Sequence, residues 1–158
     1  MITKKTLFTI IILGFLLFVF LTLFIYFRKG YVILFLINMG TNFYLGMASI
    51  SATLTGFALI AVPLISNMIS YDNPITRALR ENLQLLRDIY GVLWLTSLIF
   101  LANLLAAIII LVTGNVTNVT LFNAYLFIAS LGIVSFSLSI IGIWRLNLYI
   151  LTFSEQRR

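Results

Sequence analysis

Four carboxylates, Asp72, Glu81, Asp88 and Glu155, are the only acids in the chain, which contains neither histidine nor cysteine. Residue type alone therefore excludes thiolate nucleophiles, imidazole bases, disulfides and His or Cys metal ligands. None of the four acids falls inside an apolar run, so no intramembrane carboxylate dyad or proton relay can be assembled from them. The lysines Lys4, Lys5 and Lys29 sit near a chain end or an interface, with no nucleophile–base spacing around them. The sequence thus assigns no catalytic residue, no cofactor and no metal site.

The polar residues that remain are neutral and lie within long apolar stretches. Asn103 stands in the run from Ile89 to Val112. An amide there lines a pathway, bonds across a subunit interface, or joins two helices by a hydrogen bond worth about 1 kcal/mol. The last reading is favoured, because intramembrane polar groups usually face a bundle interior. Ser49, Thr53, Ser66 and Asn67 occupy the stretch from Leu45 to Ile69. They suit a pore lining, yet hydroxyls on membrane helices more often bond their own backbone or pack tightly, which is the preferred reading. A selective filter needs a ring of charges or carbonyls, and only an oligomer axis could make one from this chain.

The elements that position these residues follow from a chain whose suitable solvent is lipid. Of 158 residues, 62% are hydrophobic and 9% charged, and mean hydropathy is +1.15; soluble domains carry roughly 25% charged residues. The net charge of +6 reflects Lys and Arg flanking membrane segments, not a nucleic-acid site. Four spans are predicted, at about 7–27, 45–69, 89–112 and 121–143. The first follows Lys4 and Lys5 and ends at Arg28-Lys29. It is longer than the apolar core of a secretory signal and lacks a small-x-small cleavage site, so it reads as a retained anchor. Tyr31 to Ile37 is apolar but too short to cross, so it extends the first helix, lies in the interface or forms a re-entrant piece, and Asn38-Met39-Gly40-Thr41-Asn42 predicts a turn. The fold class is all-α, a four-transmembrane-helix bundle, in a single membrane domain over 1–158.

The spans differ in kind. The first is Leu, Ile and Phe nearly all round, as a lipid-facing helix requires. In the second, Ala48, Ala52 and Gly56 recur every four residues with Ser49 and Thr53 beside them, a pattern that admits a close neighbouring helix. This places the second helix centrally, and Pro63 should kink it. Ser130, Gly132, Ser135, Ser139 and Gly142 give the fourth span a similar face. Both faces pack inside the bundle or against sister subunits.

Between spans two and three, Asn73 and Pro74 open an amphipathic helix over 73–88. Ile75, Leu79, Leu83 and Leu86 form its apolar stripe, and Arg77, Arg80, Glu81, Gln84, Arg87 and Asp88 fill the other faces. No strong breaker follows, so helix three is expected to extend out of the membrane. With four spans, Lys4, Lys5, Arg77, Arg80, Arg87, Arg145, Arg157 and Arg158 share one side, against Arg28 and Lys29 on the other. The positive-inside rule then puts both termini and the 73–88 helix in the cytoplasm of a cell-membrane protein. There Arg77, Arg80, Glu81, Gln84 and Arg87 form a partner-binding surface, or lie on anionic headgroups at about 1 kcal/mol per basic residue. Asn115 and Asn118 match the glycosylation pattern on the outer side, a short match that arises often by chance.

The segment SATLTGFALIAVPLIS, Ser51 to Ser66, resembles one found in small bacterial membrane proteins. Its first half, Ser51-Ala52-Thr53-Leu54-Thr55-Gly56-Phe57-Ala58, resembles the first membrane helix of Orai calcium channels. The acidic residue those channels place about a turn further on is replaced here by Val62-Pro63-Leu64, so calcium selectivity does not follow. In size, span number and negligible soluble mass the chain is similar to the four-span membrane subunit of the Kiwa anti-phage defence system. That resemblance implies a homo-oligomeric membrane sensor recruiting a cytoplasmic effector, with the 73–88 helix as docking element. The expected function is a non-enzymatic homo-oligomeric scaffold or sensor, with a tetramer among its admissible states. Its partners are the bilayer, its own copies and a cytoplasmic protein, not nucleic acid. The alternatives are an ion channel along an oligomer axis, or an accessory subunit of a larger membrane complex.

Overall fold

Long runs of Leu, Ile, Val and Phe can satisfy their backbone groups in hydrocarbon only as helices or closed barrels, and these runs lack the alternation a barrel needs. The structure, a computed structural model, describes residues 4–29, 32–70 and 83–155. The described residues form α1 (Lys4–Lys29), α2 (Val32–Ser70), α3 (Leu83–Val112) and α4 (Val119–Glu155), with no strand among them. Each helix holds a segment long and apolar enough to cross a membrane: Lys4–Phe27, Val32–Ala61, Leu86–Val112 and Val119–Leu146. The protein is an all-α, four-helix, multi-pass membrane protein.

The helices pack in the order α2–α3–α4–α1. α3 lies between α2 and α4, α1 rests mainly on α4, and α1 makes only slight contact with α2. Among the described residues α1 and α3 do not meet. α1 seats where Gly14 faces Leu131, since a Cβ on Gly14 would stand 2.5 Å from Leu131 Cδ2. Phe18 meets Phe127 edge-on one turn further along, with ring centroids 5.6 Å apart. Ile10 is buried and Leu21 and Ile25 pack against the core, but much of α1, including Phe8, Leu16 and Phe20, is exposed, as its uniform apolar character predicts.

The turn predicted at 38–42 is absent. α2 begins at Val32 and runs through these residues, so residues 32–37 open the second helix. The Asn-Met-Gly-Thr-Asn signal is overridden by packing. Gly40 is buried against the α3–α4 loop, where an added Cβ would stand 3.2 Å from the Val116 carbonyl oxygen. Glycine here serves close approach within a helix, not a turn. Pro63 lies exposed inside α2, which continues through it.

The α3–α4 loop is tight for reasons legible in its residues. Gly114 takes φ 69°, the left-handed conformation that ends α3 without a Cβ penalty. Asn118 caps α4, its Oδ1 accepting from the backbone N–H of Thr120 at 3.0 Å and Leu121 at 3.2 Å. At this end Phe35, Phe43, Tyr44, Phe122 and Tyr125 form an aromatic cluster with centroids 5.2 to 6.2 Å apart. At the other end Leu86, Ile89, Leu93 and Leu146 form a second core with Ala61 and Ile143. α2, at 39 residues, is roughly 58 Å long and exceeds the ~30 Å hydrocarbon core. α4 likewise runs past Leu146 to Glu155. Helical chain therefore projects beyond the apolar spans at the end where α1 begins.

Candidate functional site

With ionisable groups scarce, the functional features are packed polar groups and faces left uncovered. Between α3 and α4 runs a chain of buried hydroxyls. Thr96 Oγ1 lies 2.6 Å from Ser135 Oγ and 3.2 Å from Ser139 Oγ. It also lies 2.7 Å from the Val92 carbonyl, and Ser139 Oγ is 2.9 Å from the Ser135 carbonyl. One proton per hydroxyl gives a consistent assignment. Thr96 donates to Val92 O, Ser135 donates to Thr96, and Ser139 donates to Ser135 O. This clamp works because α4 carries small residues there. A Cβ on Gly132 would come within 3.0 Å of Phe100 Cε1, and one on Gly142 within 3.0 Å of Ile89 Cγ1. The small-residue face of α4 is thus spent on contacts within the chain.

Asn103 is fully buried, as expected of an interior amide, but the expected interhelical hydrogen bond is not formed. Neither Asn103 Oδ1 nor Asn103 Nδ2 has a partner among the described residues. The Tyr44, Ser51 and Tyr125 hydroxyls, each at most 1% exposed, make no hydrogen bond of good geometry among the described residues, although Ser51 and Tyr125 stand close enough for a weak one. Ser51 lies alongside Tyr125, and the Tyr44 and Tyr125 rings meet edge-on at 5.2 Å. Asn103 stands one turn from Ala107, which packs in the same core as both tyrosines. Three helices thus bury polar groups in the bundle interior, and a group left there without any partner costs about 1–3 kcal/mol. Sequence reasoning missed Tyr44 and Tyr125. Both stand at the predicted starts of spans two and four, where a tyrosine reads as an interfacial residue, so no local signal marks them.

The small-residue face of α2 points the other way from that of α4. Tyr44, Ser51, Thr55 and Ala58 supply the buried side of α2. Ser49, Ala52 and Thr53 are exposed, Ala48 and Gly56 are half-buried, and a Cβ on Gly56 would meet nothing within 4 Å. The central position expected for α2 belongs instead to α3 and α4. Thr53 Oγ1 donates to the Ser49 carbonyl at 3.0 Å, the backbone bonding expected of a packing hydroxyl.

Of the predicted partner surface, Arg77, Arg80 and Glu81 lie outside the described residues, as do Asn73 and Pro74. Gln84 falls in the first turn of α3 and Arg87 is exposed just beyond it. Leu86, from the predicted apolar stripe, is 3% exposed and part of the core beneath. Among the described residues no group of three or more acids could hold a metal ion. No protein-family model, curated protein or solved structure matches the chain. Fold and site together define the class as a four-helix polytopic membrane protein.

Proposed function

We propose that the protein is a non-enzymatic, homo-oligomeric scaffold or sensor of the cell membrane, with both termini cytoplasmic, that engages a cytoplasmic partner. The observation carrying this reading is the uncovered small-residue face of α2. Ala52 is exposed and Gly56 half-buried, and among the described residues a Cβ on Gly56 would meet nothing within 4 Å, so a second helix backbone can approach there, while Ala48 packs against the core of its own chain. A sister copy is its natural occupant, because the equivalent face of α4 is already filled. Helical extension at the end of the bundle carrying Lys4, Lys5, Arg87 and Arg145 supports a partner-facing platform on that side. Small size, four spans and negligible soluble mass are shared with the Kiwa membrane subunit, and a defence role enters the proposal on that ground alone. The channel reading gains nothing from Thr53, whose hydroxyl is committed to the Ser49 carbonyl.

The test is the mass of the purified full-length protein in mild detergent, with companions identified. The expected result is a multiple of 17.9 kDa that falls to the single-chain value in Gly56→Leu. A companion protein should be captured by wild type and lost on reversing Arg77, Arg80 and Arg87 to Glu. A monomeric wild type with no companion would refute the proposal, and single-channel current from the protein alone would replace it with the pore.

A further inference from the structure

Because α1 and α3 both lean on neighbours without meeting each other, a groove remains between them. Near the start of α1 it widens into a cavity of about 180 Å³. Its floor is Leu138, Ile141 and Gly142 of α4, and its wall on the α3 side is Ile89 and Val92. Ile141 is 46% exposed, so the groove opens to the outside of the bundle. Two charges of opposite sign, Asp88 of α3 and Arg145 of α4, complete the lining, with Thr6 of α1 facing them. Lys4 and Lys5, both exposed, precede Thr6 on the first turn of α1.

Apolar depth with a charged mouth at the end of a membrane span matches a lipid, chain inward and headgroup at the interface. At about 180 Å³ the cavity has room for a short run of acyl methylenes. An Arg fork recognises phosphate oxygens through paired charge-assisted bonds. A carboxylate lining the same pocket disfavours a purely anionic headgroup and offers an acceptor to a primary ammonium. We infer that this groove is a binding site for a phospholipid with a free ammonium, of the phosphatidylethanolamine kind. Arg145 holds the phosphate and Asp88 the ammonium, and Lys4 and Lys5 raise the local attraction for the phosphate. The inference rests on the membrane class alone and is independent of the oligomer reading.

The test uses the full-length protein in mild detergent, titrated with phosphatidylethanolamine, phosphatidylglycerol or phosphatidylcholine of identical acyl chains and followed by native mass spectrometry. Wild type should bind the ethanolamine lipid most tightly, since the quaternary ammonium of choline cannot donate a hydrogen bond to Asp88. Arg145→Gln should weaken all three by about tenfold. Asp88→Asn, nearly isosteric, should erase the preference for ethanolamine over glycerol and choline while keeping phosphate binding. Ile141→Trp, filling the groove from an exposed position, should weaken all three without changing their order. Glycerol or choline lipid bound as tightly as ethanolamine by wild type would overturn the assignment, and so would binding unaltered by Arg145→Gln.

Discussion

Glycine to leucine at two positions, Gly132 and Gly56, should have opposite consequences, because the two glycines face opposite environments. At Gly132 even the first added carbon would lie 3.0 Å from Phe100 Cε1 and 3.3 Å from both Phe100 Cζ and Ile99 Cγ2. Ordinary carbon contacts lie at ~3.5–4.0 Å, so α3 and α4 must part by roughly half an ångström or more. Phe100 cannot yield, being 2% exposed and set against Phe136 with centroids 6.3 Å apart. Overpacking of this kind costs about 1–3 kcal/mol. The separation also strains the 2.6 Å Thr96–Ser135 bond less than one turn away, worth about 0.6–1.7 kcal/mol in a membrane bundle. Together Gly132→Leu should lose roughly 2–4 kcal/mol of bundle stability. At Gly56 an added Cβ would meet nothing within 4 Å among the described residues, and Gly56→Leu should leave single-chain stability within about 0.5 kcal/mol while weakening self-association. SDS titration of refolded protein in mixed micelles, read by Trp94 and Trp144 fluorescence at high dilution, measures both. Equal losses from the two variants, or a Gly132→Leu protein as stable as wild type, would refute the assignment of the two faces.

Asn103→Leu should raise bundle stability by about 1–3 kcal/mol in the same titration, because it removes a fully buried amide without a partner among the described residues. A loss of similar size would mean that the amide is satisfied in the bilayer. Thr96→Val and Ser135→Ala should each destabilise, and the double variant should lose less than their sum, with a coupling of about 0.6–1.7 kcal/mol. Strict additivity would deny the clamp. Reporter fusions at residue 117 and at the C-terminus should report opposite sides of the membrane, the C-terminal one cytoplasmic, and a cytoplasmic residue 117 would contradict the proposed orientation.

Composition and uninterrupted apolar runs made the helical, membrane-embedded class legible, and the predicted end of span three coincides with the end of α3 at Val112. The lipid-facing character of α1 was legible too, since its apolar residues have no polar face to set against lipid. What could not be read was direction. Gly40 and its Asn neighbours look like a turn, but the requirement there is close approach to Val116, which comes from a loop far along the chain. The small residues of α2 and α4 look alike in sequence. Only the packing order shows that a Cβ on Gly132 would press on Phe100 while one on Gly56 would meet nothing within 4 Å among the described residues. Asn103 was legible as interior, yet its lack of a partner depends on neighbours from α2 and α4 that no local pattern specifies. Tyr44 and Tyr125 were passed over because a tyrosine at the start of a span reads as interfacial, and their buried hydroxyls emerge only in three dimensions.

Self-association through the outward face of α2 is most directly tested by disulfide trapping, since the chain has no native cysteine to confuse it. Ala52→Cys, exposed on that face, and Ile11→Cys, 47% exposed on α1, should be oxidised in native membranes and resolved without reductant. A covalent dimer from Ala52→Cys, with none above background from Ile11→Cys, is the predicted result. Equal yields at the two positions, or no dimer from Ala52→Cys, would contradict it.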